Sequence, residues 1–480
     1  MNIKLLIHVL SGLTIFLGLS LLAPFLLSLY FGDVGISVFL IPALACLLGG
    51  GLLFKGTKTK DQMTLREGFA IVTFSWLSFS LIGAIPFYTS GAIPSFVDCF
   101  FEAMSGLSTT GSSILTEIES LPQSILFWRS LTQWLGGMGI IVLSIAILPI
   151  LGIEGTMLFF AESPGPSKDH MNVRIKDTAK ALWGIYLCLT VILFLALIAG
   201  GMSIFDSLNH ALNTLSTGGF STKNASIGHY ESSYIQWIIT AFMLLGGINF
   251  SLHYACMKGK LNAYFKSEEF RVYMGILFTS ITIITFLTYN AELGLEKTLR
   301  YAAFQVVSIS TTTGYGTYDY EMWPFICQLL LLFLMFVGGS AGSTSGGMKV
   351  VRIIYTFKSV INYMSHLIHP KQIKMTKVDH QTVTKEISKG ILNFVLINVG
   401  VFTVGSLIMA ATGLDPLTAM TSVVACLSNI GPGLGSVGPT ENFAHISDLG
   451  KIVLSLCMLV GRLEYFTVLV LFLPSAWKKN

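Results

Sequence analysis

Ser310-Thr311-Thr312-Thr313-Gly314-Tyr315 is a run of hydroxyls that reaches a glycine, set inside an apolar chain. The design recurs as Leu107-Ser108-Thr109-Thr110-Gly111-Ser112, Leu215-Ser216-Thr217-Gly218-Gly219-Phe220 and Leu427-Ser428-Asn429-Ile430-Gly431-Pro432. A hydroxyl always stands three places before the glycine: Ser108, Ser216, Thr311, Ser428. Runs of Ser, Thr and Gly normally belong to solvated turns. Each here follows an apolar stretch, which predicts four loops that enter a membrane and line one polar axis. Carbonyls and hydroxyls on such an axis can replace the water shell of a cation. Polar turns on an outer surface are the competing reading.

The composition fits. Of 480 residues, 53% are hydrophobic and 11% charged, with mean hydropathy +0.72. Soluble domains carry about 25% charged residues, so a polytopic membrane protein is expected. The seven cysteines form no CxxC pair, which argues against a zinc site or disulfide framework. The N-terminal apolar run has no convincing cleavage site and is read as a first transmembrane helix.

A helix needs roughly 20 apolar residues to cross a bilayer. Ten spans are predicted: Leu5–Phe31, Ile36–Phe54, Phe69–Tyr88, Ile125–Leu151, Ala181–Ala199, Tyr234–Tyr254, Val272–Tyr289, Ile326–Ile354, Ile391–Ala411 and Lys451–Leu473. Between them lie four half-length segments that lead into the motifs: Phe96–Leu107, Ile204–Leu215, Leu299–Ile309 and Pro416–Leu427. Each rises only about half a bilayer at ~1.5 Å per residue, as a re-entrant helix does. Lys and Arg gather on the other side, at Lys4, Lys55–Arg66, Lys168–Lys180, Lys258–Arg271, Lys349–Lys389 and Lys478-Lys479. The positive-inside rule makes that side cytoplasmic, with both termini inside and all four loops entering from outside.

A second repeat accompanies the first. Some 24 to 30 residues after each motif glycine come Leu135-Gly136-Gly137, Leu245-Gly246-Gly247, Val337-Gly338-Gly339 and Val460-Gly461-Arg462. Glycine pairs commonly serve close helix packing; a fixed place in four units predicts a common helix–pore loop–helix repeat. The fold expected is all-α: an N-terminal helix pair (1–62), then repeats at 63–165, 166–262, 263–375 and 376–480, pseudo-four-fold around one pore. The third repeat holds Gly338-Gly339-Ser340-Ala341-Gly342-Ser343-Thr344-Ser345-Gly346-Gly347, which has no large side chain to hold a helix in lipid. Such backbone survives at membrane depth only if buried or lining water. A phosphate-binding loop is disfavoured, since no strand precedes it. Arg462 stands where the other repeats carry a second glycine. An arginine near mid-span is expected to face a cavity or a partner, for example Glu464 in an ion pair; in a cation path it would act as an electrostatic barrier. Asp98 and Asp206 read as helix N-caps, with Glu102 and His210 in the next register.

These features, with Trp134-Leu135-Gly136-Gly137-Met138-Gly139 and Gly461-Arg462-Leu463-Glu464, resemble the TrkH/TrkG family of bacterial Trk-system potassium uptake proteins. KtrB and fungal Trk proteins share its superfamily; the two extra N-terminal helices point to the TrkH branch. The resemblance implies a selectivity filter at Thr109, Thr110, Gly111, Thr217, Gly218, Gly219, Thr312, Thr313, Gly314, Asn429, Ile430 and Gly431, with K+ the transported substrate and Rb+ accepted. Asn429 and Ile430 depart from the threonines of repeats one and three, so coordination is expected to be unequal. It further implies an intramembrane gate at Gly338–Gly347 with Arg462 beneath the filter. A homodimer in the bacterial inner membrane is expected, bound to a cytosolic TrkA-type ring. No covalent cofactor is expected, and any nucleotide sits on that partner. Proton- or sodium-coupled symport is the alternative mechanism. No HExxH, CxxC or paired carboxylates suggest an enzyme, and nothing suggests nucleic-acid binding.

Overall fold

The computed structural model describes residues 1–59, 63–146, 168–371, 375–379 and 381–477. The end of the fourth expected span (147–151), Lys60, His380, Lys478, Lys479 and the repeat boundaries at 62 and 165–166 lie outside the described residues.

Helices dominate. Ile3–Ser20 runs on into Leu22–Phe31 and packs against Ser37–Gly56. This pair is tied to the rest by Asn2 N–H on Glu67 Oε1 (2.9 Å) and by Asp33, which accepts from the Ser124 N–H and hydroxyl (2.8 Å each). Four units follow. Each has an outer helix, a short re-entrant helix and an inner helix. The outer helices are Leu65–Thr89, Lys168–Ala199, Glu268–Thr288 and Lys385–Ala411. The short ones are Phe96–Leu107, Ile204–Leu215, Gly294–Ser310 and Pro416–Leu427. The inner ones begin at Gln123, Ser233, Phe325 and Asp448.

Three short helices have the bounds expected from sequence. Ser95, Ser203 and Asp415 start them by accepting N–H groups of their first turns. The third begins earlier than Leu299. Its polar first turns are tolerable because Arg300 bridges to Glu296 (3.0 Å) and to Gln236 Oε1 (2.6 Å).

The inner helices are where the structure corrects the sequence reading. Six helices among the described residues are long and apolar enough to span, or eight if two bent pairs each count as one span. Tyr234–Tyr254 is not straight: Ser233–Gly247 meets Phe250–Met257 at 100°. Lys451–Leu473 breaks likewise, Asp448–Leu463 meeting Tyr465–Phe472 at 114° around Glu464, whose φ is +62°. Ile326–Ile354 is interrupted between Phe336 and Val350, as the glycine-rich stretch requires.

The glycine pairs let inner helices touch the short helices. A β-carbon on Gly136 would lie 2.1 Å from Leu107 O, and one on Gly461 1.9 Å from Leu427 O. Gly461→Ala therefore forces a backbone shift, and overpacking of this kind costs about 1–3 kcal/mol or more. Its folded yield on gel filtration should fall well below that of Gly184→Ala, where a new methyl meets nothing within 4 Å. Equal yields would contradict the packing.

Candidate functional site

The four motif strands close into a ring. Each short helix ends on its hydroxyl residue, Ser108, Ser216, Thr311 or Ser428, in right-handed conformation. The next residue turns left-handed: Thr109 (φ 53°), Thr217 (52°), Thr312 (57°) and Asn429 (55°). The residue after that returns its N–H to the helix: Thr110 to Ser105 O, Gly218 to Asn213 O, Thr313 to Ser308 O, Ile430 to Ala425 O, all at 2.8–2.9 Å. This is a Schellman closure, built the same way four times. The glycines Gly111, Gly219, Gly314 and Gly431 then take φ of 87°, 77°, 81° and 108°. In each strand two residues of positive φ thus flank one whose φ is not positive.

Neighbour distances show that the ring is closed. A β-carbon on Gly111 would meet Gly218 O at 2.3 Å, and one on Gly219 would meet Thr313 O at 1.9 Å. On Gly314 it would meet Ile430 O at 1.8 Å, and on Gly431 Thr110 O at 2.9 Å. The order one–two–three–four–one is complete, and each glycine makes room for the next carbonyl. An outer belt repeats the circuit: Arg129 Nη1 to Ser221 O (2.9 Å), Gly228 N to Gly316 O (2.9 Å), Tyr320 Oη to Gly433 O (2.6 Å) and Phe443 N to Ser113 O (2.8 Å). At its rim Glu321 accepts Gly435 N–H at 2.5 Å, and burial pushes its carboxyl above the usual range.

The Gly338–Gly347 stretch lies against one end of this ring. Its Gly346 N–H donates to Thr312 Oγ1 at 2.7 Å. Thr344 Oγ1 donates to Leu215 O and Gly246 O (3.0 Å each), and Ser340 N–H to Gly247 O (2.9 Å). Gly342 O accepts Phe250 N–H at 3.0 Å. Glu269 Oε1 pins both feet, accepting from Ala341 N (2.8 Å) and Val351 N (3.2 Å). Arg462 donates to Thr344 O (2.7 Å) and Gly136 O (3.3 Å). The ion pair suggested for Arg462 and Glu464 is absent: Glu464 pairs with Arg352 at 2.7 Å.

The family model for TrkH, a cation transport protein, matches residues 36–479. This chain belongs to the TrkH family. The Trk system potassium uptake protein TrkH of Escherichia coli (strain K12) is 43% identical over 440 residues, 91% of each chain. TrkG of the same strain is 32% identical over 483 residues, 99% of each. The crystal structure of the potassium transporter TrkH from Vibrio parahaemolyticus covers all of both chains at TM-score 0.91 and 36% identity. The TrkH family comprises multi-pass membrane transporters, not enzymes.

Several residues of this TrkH-family site escaped the sequence reading. Gln133 is one. A β-carbon at Gly218 would lie 2.3 Å from Gln133 Cδ, so this glycine, where repeats one and three carry Thr, makes room for it. Gln133 Nε2 donates to Gly218 O (2.5 Å) while its Oε1 accepts Phe220 N–H (3.1 Å), so a side chain holds one ring carbonyl. Glu269 is another, lying among the Lys and Arg residues of Lys258–Arg271. Asp98 and Asp206 are not the caps themselves; they sit one turn inside Ser95 and Ser203. Asp98 pairs with Lys451 (2.6 Å), and Asp206 accepts the Thr222 hydroxyl (2.6 Å). His210 and Glu102 brace the strands leaving the ring: His210 Nε2 bonds Ser221 Oγ (3.0 Å), and Glu102 accepts Ile114 N–H (3.1 Å). Glu102 also holds Arg129 at 2.6 Å, both buried, with the guanidinium 3.7 Å from the Phe220 ring centroid. Glu102→Ala leaves Arg129 buried and unpaired, a loss of about 3–5 kcal/mol. It should lower the melting temperature of detergent-purified protein sharply; a change of a degree or less would show that the pair does not hold the ring.

Proposed function

We propose that this chain takes up potassium, with rubidium accepted, through a pore whose selectivity filter is the four-strand ring. The observation that carries the reading is the closed circuit of glycine against carbonyl, four times around one axis. A dehydrated cation needs oxygens in place of water, and the ring offers the Thr110, Thr313 and Ile430 carbonyls, while Gly218 O is held by Gln133. The four short helices point their C-terminal, negative ends at that axis, which favours a cation. Relatives named as potassium uptake proteins support the choice of ion. The Gly338–Gly347 loop acts as the gate, held shut from below by Arg462, whose charge repels cations. A cytosolic nucleotide-binding ring of the TrkA type would open it from the basic side, on a homodimer in the inner membrane with both termini cytoplasmic.

Replacing the ring glycines by serine should act unequally. Gly219→Ser and Gly314→Ser place a β-carbon under 2 Å from a ring carbonyl, whereas at Gly431 the distance is 2.9 Å. The first two should weaken potassium affinity about ten-fold or more, roughly 1.4 kcal/mol, and erode discrimination against sodium; Gly431→Ser should be milder. Rubidium uptake with competing sodium, in cells lacking other potassium transporters, measures both. Unchanged affinity and selectivity in all variants at normal expression would remove the filter assignment.

Arg462→Ala removes both the charge and the anchor on Thr344 O, and rubidium flux per folded molecule in liposomes without the partner should rise several-fold. A well-folded variant with no rise would end the gating role of Arg462. Current recordings on the same protein separate mechanisms: discrete single-channel steps mark a channel, and flux tied to a proton or sodium gradient marks a symporter.

A further inference from the structure

In three of the four repeats the residue two places before the ring glycine is strained. A Schellman closure normally puts glycine in the left-handed position, and a β-branched residue there is an outlier. Thr109, Thr217 and Thr312 hold that position, with Asn429 as the fourth. Each carries a side-chain oxygen that glycine would not. Thr109 Oγ1 and Asn429 Oδ1 are buried and without a hydrogen-bond partner among the described residues. A buried oxygen left unpaired is costly, and a cation passing through the ring is a partner that fits. Thr217 Oγ1 gives its proton to Ser216 O (2.7 Å), so its lone pairs accept. Thr312 alone differs: its Oγ1 takes the Gly346 N–H at 2.7 Å. Gly346 is wedged there, since a β-carbon on it would lie 2.3 Å from Ser428 O and 3.0 Å from Asn429 Oδ1.

An amide hydrogen on an oxygen carries partial positive charge to the place a cation would occupy. We propose that the Gly346 N–H and the transported cation compete for Thr312 Oγ1, so that ion occupancy at the inner end of the ring and the closed position of the loop exclude one another. The inference rests on the filter and gate reading above. It makes potassium an opener of its own pathway: a filled inner site leaves the loop without its tip anchor. The loop in turn reports on the filter through one hydroxyl, in one repeat of four.

The test reads loop exposure, not transport alone. Purified Ser345→Cys protein is treated with a water-soluble maleimide, and the rate of labelling at position 345 is read by peptide mass spectrometry. Saturating KCl should raise the rate about five-fold over N-methylglucamine chloride, the factor expected from losing one net hydrogen bond. Adding Thr312→Val keeps the shape and removes the acceptor; labelling should then be fast and indifferent to potassium. Thr312→Ser should restore the wild-type pattern. Thr217→Val alters a sibling oxygen that bonds Ser216 O and takes no loop N–H, so it should weaken cation affinity yet keep a potassium-dependent rate at higher KCl. A rate in Ser345→Cys that ignores potassium overturns the proposal, and that arm needs no change at Thr312. So does a Thr312→Val that behaves like Thr217→Val while both alter rubidium affinity, which would leave the filter reading standing. If neither variant alters cation affinity, the filter reading falls with it.

Discussion

Four helices must stop halfway through a membrane without leaving bare backbone, and the rest of the structure answers that demand. In lipid every N–H and C=O needs a partner inside the protein. The Schellman closure supplies it at the end of each short helix, returning the N–H of Thr110, Gly218, Thr313 and Ile430 to carbonyls five residues back. The same closure swings the chain across the helix end, so the strand that follows runs along the axis. Termination of the helix and presentation of the carbonyls are thus one event. That is why the hydroxyl, the left-handed residue and the glycine keep fixed spacing in all four repeats.

The bent inner helix of repeat two and the unwound stretch of repeat three solve one problem together. A helix that turns by 100° after Gly247 frees carbonyls at the bend. The loop takes them: Thr344 N–H and hydroxyl reach Gly246 O, and Ser340 N–H reaches Gly247 O. In return Gly342 O accepts Phe250 N–H from beyond the bend. Neither irregular segment is satisfied without the other. The loop is therefore a folded element with defined partners, although nothing in it has the bulk to make a core.

Much of this was legible in the sequence. The strongest signals were backbone signals, because glycine, a hydroxyl cap and an abrupt end to apolar residues each have few uses inside a membrane. Three of the four short helices have the predicted bounds for that reason. The bends at Gly247 and Glu464 were not legible. Both occur within apolar runs, and hydropathy does not distinguish a straight span from a broken one. Side-chain braces were hidden differently. Arg129 and Gln133 are polar residues of an inner helix, and their partners Glu102 and Gly218 lie in another helix or another repeat. Glu269, beside Arg271 and Glu268, looks like any residue of a charged linker until the fold brings Ala341 and Val351 to it.

The departures from four-fold likeness gather in the pieces that meet at the loop. Two arginines there differ in their partners: Arg352 pairs with the Glu464 carboxylate and Arg462 bonds carbonyls. The left-handed turn at Glu464 aims it at Arg352, which also stacks 3.8 Å from the Phe394 ring centroid. Arg462 pairs with no carboxylate among the described residues; it donates to the carbonyls of Thr344 and Gly136. Carbonyls satisfy a guanidinium's protons without cancelling its charge, so the positive potential under the ring survives. One of those two carbonyls belongs to the loop itself. The charge that would repel a cation therefore also favours the loop position that supplies Thr344 O, because without it a buried donor loses its acceptor. Replacing a glycine by arginine in only one repeat thus couples a charge to a shape, which four identical repeats could not do.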